Sequence, residues 1–226
     1  MRINIFARVF LKAFIGFITI FSVSAQDISV SYDLSSMHEK GQLAVYNREV
    51  SVFSDQGKTG IRFSKSENDG FALLEHVIFS NGTIELDIRG KDVLQQSFVG
   101  VAFHGTDNKT MDVVYFRPFN FQAADPVRKS HSVQYVSHPE HTWQVLREKF
   151  NGVYEKPVNP PPDGNEWFHV RVVINSPLIK VYVNGNKEPS LTVEKLNNRA
   201  SGRIGLWVGN NSDGDFANLQ ISSQTE

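Results

Sequence analysis

Glu85-Leu86-Asp87-Ile88-Arg89 places two carboxylates at alternate positions of a run that reads as a strand. Side chains of a strand alternate, so Thr83, Glu85, Asp87 and Arg89 share one face while Ile84, Leu86 and Ile88 share the other. Two carboxylates held about 5 Å apart can act as nucleophile and acid in glycosidic bond cleavage. The competing reading is a solvated polar face on a sheet whose other face is core.

A second group is basic and aromatic. Tyr115 and Arg117 share a face of one strand, His104 ends the preceding strand, and Gln134 and His138 share a face of the next with Tyr135 opposite. A guanidinium can fork onto a sugar carboxylate or sulfate, and Tyr or His can move protons. This set suits a polysaccharide lyase, a plain binding groove, or a structural network that ties down the chain. The candidate catalytic residues are therefore Glu85, Asp87, His104 and Tyr115, and the candidate ligand contacts are His104, Tyr115, Arg117, Gln134, His138 and Trp143.

Metal chemistry has two weak signals. His131, His138 and His141 fall close together beside Glu140, but the spacing of a helical zinc motif is missing and exposed loop histidines explain them. Asn211-Ser212-Asp213-Gly214-Asp215 has alternating oxygen donors, yet Phe216 and Ser222 occupy the places where a calcium-binding helix–loop–helix needs Gly and Glu. No metal or other cofactor is expected, with a looser calcium site left open. Serine nucleophile elbows, phosphate loops and dinucleotide fingerprints are absent.

The elements that must position these residues read as short strands. Expected strands are Glu49–Phe53, Gly60–Ser64, Thr83–Arg89, Phe98–His104, Met111–Phe116, Ser132–Ser137, Phe168–Ile174, Leu178–Val183, Ser190–Val193, Arg203–Val208 and Phe216–Ile221. Turn-formers such as Asn68-Asp69-Gly70, Asn81-Gly82 and Asn184-Gly185 separate them, the pattern of an antiparallel sandwich. Between Pro118 and Gly164 the meander breaks into an aromatic-rich excursion with one clear strand. Long excursions in compact domains are usually functional or disordered, and this one has helix periodicity. Pro139–Phe150 is expected to be a short helix with Trp143, Leu146 and Phe150 on one stripe. Phe119, Phe121, Tyr135 and Trp143 could form a platform for sugar C–H faces, or Trp143 could close a satellite core with Leu146 and Phe150. Trp167 and Trp207 read as framework.

Trp167-Phe168-His169-Val170-Arg171-Val172-Val173 and Val181-Tyr182-Val183-Asn184-Gly185 resemble the paired strands of concanavalin-A-like lectin/glucanase domains, including laminin-G-like modules and bacterial domains related to the 3-keto-disaccharide hydrolase family. Gly202-Arg203-Ile204-Gly205-Leu206-Trp207 and Asp215-Phe216-Ala217-Asn218-Leu219 resemble the closing strands of the same group. The resemblance runs from about Gly82 to Ile221 and implies a two-sheet antiparallel jelly roll, often with a concave sugar-binding face. Laminarinases and lichenases of this group carry three alternating acids on one strand, and Arg89 departs from that pattern. Alginate lyases of the group carry motifs that this chain does not have.

The chain has 226 residues, a net charge of −1 and no cysteine. Arg2, Arg8 and Lys12 precede the apolar stretch Ala13–Val23, and Ser22-Val23-Ser24-Ala25 offers small residues at a cut before Gln26. That is the pattern of a cleaved secretory signal, too short in its apolar part to span a bilayer comfortably. Without cysteine there is neither a lipid-attachment site nor a disulfide. Residues 1–25 are thus expected to be a signal peptide, and 26–226 one secreted or periplasmic, all-β, concanavalin-A-like domain with one short helix. No basic stripe is present, so nucleic acid is not an expected partner. The expected function is carbohydrate binding in glycan recognition or degradation. The alternatives are a glycoside hydrolase or polysaccharide lyase, or an adhesion module.

Overall fold

The computed structural model describes residues 28–223, so the expected signal peptide lies outside the described residues. Fifteen strands and four short helices follow one another. In order they are β1 (Ile28–Tyr32), α1 (Leu34–Glu39), β2 (Leu43–Tyr46), β3 (Val50–Asp55), β4 (Lys58–Ser66), β5 (Gly70–Phe79), β6 (Gly82–Arg89), β7 (Val99–Gly105), β8 (Met111–Phe116), α2 (Pro118–Phe121), α3 (Pro126–Ser130), β9 (Val133–His138), α4 (Trp143–Lys149), β10 (Glu155–Lys156), β11 (Phe168–Asn175), β12 (Leu178–Val183), β13 (Leu191–Glu194), β14 (Gly202–Val208) and β15 (Ser212–Ser223). All strand pairs are antiparallel and form two sheets. One runs β13-β12-β11-β6-β15-β4-β3, with β1 also paired to β15; the other runs β10-β9-β8-β7-β14-β5-β2. Among the described residues no helix is long and apolar enough to cross a membrane.

The alternation read from the sequence sets the inner faces. Ile84, Leu86 and Ile88 of β6 and Phe168, Val170, Val172 and Ile174 of β11 join one core with Val101, Phe103, Val114 and Phe116 of the other sheet. Each such side chain stabilises the fold by roughly 1.5–3 kcal/mol when fully buried. Phe121 of the excursion enters this core edge-on to Phe116 and Phe168. It is therefore framework rather than a sugar platform, and so are Phe119 and Tyr135, which are also buried.

The second sheet is not bare on its outer side. Phe71, Leu73, Ala102, Met111, Val113, Tyr115, Val136 and Trp207 form another apolar cluster there, joined by Leu146 of α4. The expected helical stripe is only partly realised. Thr142 caps α4 by accepting from Val145 N, and Leu146 is buried, but Trp143 and Phe150 are exposed. A helix of two turns reaches the sheet through one residue and leaves its ends in solvent.

Along one edge of β15, β4 and β1 lie end to end. β4 pairs as far as Gly60 opposite Ala217, and the last residue of β1, Tyr32, follows opposite Leu219. A bulge falls at the junction, where the register with β6 shifts between Ala217 and Gln220. Asn218 sits in it with φ 55°. Asparagine tolerates this left-handed backbone better than most residues. Gly60 is required beside it, since a Cβ there would lie 2.0 Å from the Phe216 carbonyl oxygen.

Candidate functional site

Glu85 and Asp87 project from the outer face of the first sheet, on the same side, as the alternation predicts. His169 on β11 bridges them, with Nδ1 2.9 Å from Asp87 and Nε2 3.3 Å from Glu85. Lys58 donates to Asp87 at 2.7 Å, and the Asn218 amide, aimed by the bulge, donates at 2.6 Å. Burial alone would raise the Asp87 carboxyl, but the His169, Lys58 and Asn218 hydrogen bonds outweigh it and hold the group far below the usual carboxylate range. The hydrogen bond with Asp87 raises the imidazole of His169. Arg89, in the third alternating position, pairs with Asp55 and Asp215 instead.

Tyr115, Arg117 and Gln134 lie on the outer face of the second sheet, so the basic cluster and the acidic pair are on opposite sides of the sandwich. Arg117, 5% exposed, donates to Tyr115 Oη at 2.6 Å, to Gln134 Oε1 at 2.5 Å and to the His131 carbonyl at 2.9 Å. Glu155 lies 3.6 Å from it and also receives a two-pronged hydrogen bond from Arg147 and a contact from His131. These side chains are turned to one another, so Tyr115, Arg117 and Gln134 brace the excursion against β8 and β9. His104 is fully buried at the end of β7 with φ 50°. Its Nε2 reaches the Ser80 carbonyl at 2.7 Å, which fixes the proton on that nitrogen, and its Nδ1 faces Lys195 and Asp112. Burial thus sets His104 among framework groups.

His138 does face the outer side of the second sheet, along with Val136. Burial pushes its imidazole down, and the charge of Asp69, just before β5, acts on it in the opposite sense. Asp69 is a buried acid that sequence reasoning missed: burial pushes its carboxyl up. Only the Asn68-Asp69-Gly70 turn marked it, and a turn does not reveal what it faces. Tyr46 on the edge strand β2 stacks on Phe71 at 4.9 Å, and Trp143 at the opposite margin lies under the Arg147 guanidinium. Both rings are 45% exposed.

The zinc reading does not assemble. His131 contacts Glu155, His141 bridges to Ser137 through its backbone, and among the described residues no three His, Asp or Glu side chains gather as a metal requires. In the Asn211–Asp215 run at the start of β15, Asp213 is taken by Lys91 and Asp215 by Arg62 and Arg89.

Residues 33–222 match the 3-keto-alpha-glucoside-1,2-lyase-like domain along nearly the whole described chain. The chain belongs to this family. Of solved structures, the carbohydrate-binding module CBM66 from Bacillus subtilis is similar at 18% identity, covering 79% of this chain and 98% of that one with a TM-score of 0.54. A Bacillus subtilis protein of unknown function with a galectin-like fold reaches 0.55 at 10% identity, over 88% and 100% of the two chains. The metal-free carbohydrate recognition domain of Emp46p reaches 0.52 at 15% identity, over 85% and 95%. No curated protein sequence matches the chain. These identities speak for the fold alone, a concanavalin-A-like sandwich of two antiparallel sheets.

Proposed function

We propose that this lyase-like domain is exported and binds carbohydrate on the outer face of its seven-stranded sheet. The observation that carries the reading is the pair of half-exposed rings, Tyr46 and Trp143, at the two margins of a face floored by Phe71, Trp207 and Tyr115. Sugar C–H faces pack on such rings, while His138 offers a hydrogen bond to a hydroxyl. The solved neighbours named for carbohydrate binding support it through their shared fold. A glycan array should find a ligand whose affinity falls at least tenfold in both Tyr46→Ala and Trp143→Ala. Unchanged binding in both variants removes the groove from this face. Export rests on the leader pattern, and N-terminal sequencing of secreted material should begin at Gln26; a start well before or after it rejects the cleavage site.

A further inference from the structure

A cavity of about 760 Å³ opens on the other side of the molecule, on the outer face of the first sheet. It lies where the start of β4 gives way to the end of β1 along β15, so the neighbour of β15 changes there inside the sheet. The wall is the corner at which Tyr32 and Asp33 leave β1 for α1, and the far side is Thr59 at the start of β4. The floor is the Asp87, His169 and Asn218 group. Asp87 is 8% exposed although it points away from the core, because Lys58, His169 and Asn218 close over it.

The floor's own chemistry narrows the occupant. Asp87 already accepts from His169, Lys58 and Asn218, which leaves a metal cation little to coordinate. Lys58 is committed to Asp87, and Glu85 stands on the same face, which disfavours an anion. The two carboxylates are matched by Lys58 and His169, so an uncharged ligand enters a balanced field. Around this floor several polar groups have no side-chain hydrogen bond among the described residues, including the Gln220 amide and the Tyr32 hydroxyl, and Thr59 Oγ1 has one long contact of 3.4 Å to Ser54. Such a ring of mixed donors and acceptors beside an aromatic ring fits vicinal hydroxyls. Bulges commonly re-aim side chains next to binding sites.

We propose that this cleft is a second carbohydrate site, taking a neutral saccharide on the face opposite the Tyr46–Trp143 groove. Sucrose, trehalose, maltose and cellobiose serve as probes in calorimetry and in crystal soaks. The background is the Tyr46→Ala/Trp143→Ala double variant, which silences the other face. At least one disaccharide should bind this background with density in the cleft. Adding Gln220→Ala, an exposed position, should weaken that binding at least fivefold, and Asn218→Gly, which keeps the left-handed backbone, should weaken it further with the fold checked by thermal melting. Binding that survives both substitutions, or no binding by any of the four sugars to a folded background variant, overturns the proposal. Equal affinity of wild type and background would instead reject the first groove while leaving this site standing.

Discussion

Arg117 has the chemistry of a ligand anchor and the surroundings of a brace. Its fork is occupied by Tyr115, Gln134 and the His131 carbonyl, and Glu155 stands behind it. Removing one member of a buried charged group leaves the remainder unpaired, which typically costs about 3–5 kcal/mol. Arg117→Met should therefore lower the stability measured by urea denaturation by about that amount, while the folded fraction keeps its glycan affinity. A selective loss of acidic-glycan binding with unchanged stability would make it a contact after all. His169 gives a pH prediction. Its pKa is raised in the folded state, so its contribution is fully present below the ordinary imidazole value of 6.5 and is lost as pH rises through the higher folded value. His138, shifted down, works in the opposite sense and is lost as pH falls below that value. The stability gap between wild type and His169→Gln isolates the first effect. It should be widest near about pH 6 and close as pH rises, reaching at most about 1 kcal/mol because His169 and Glu85 are well solvated. A gap that does not vary with pH would mean that the bridge does not depend on the imidazolium.

At the level of elements, the sequence is legible where one face is apolar and the other polar. Met111–Phe116 and Leu178–Val183 have the expected bounds, and β6 and β11 differ by one residue. The longest miss among the strands is β5. Gly70 to Leu74 is buried on both faces, because the outer side of its sheet carries the second apolar cluster, so no alternation survives. The short α1, α2 and α3 carry no two-turn periodicity, and their chief signals are single caps such as Asp33 and Asp125. The candidate site was readable to the extent that it depends on neighbours within a strand. That Glu85 and Asp87 share a face follows from their spacing. That His169 lies between them and that Asn218 reaches Asp87 across a bulge depend on register between distant strands, which composition does not encode.

For the whole molecule, the consequence lies in the order of assembly. β15 is the last strand described, yet it sits inside its sheet, flanked along one side by β6 and along the other by β4 and then β1. Until Ser212–Ser223 has been made, β6 and β4 lack the strand that joins them, and the first described strand has no partner at all. Contacts that close over nearly the full chain length form slowly, since the entropy of closing so large a loop must be met first. The domain therefore has no reason to collapse into its final form while it is being synthesised from its N-terminus. The topology postpones the lock until Ser212–Ser223 is in place between β6 and β4.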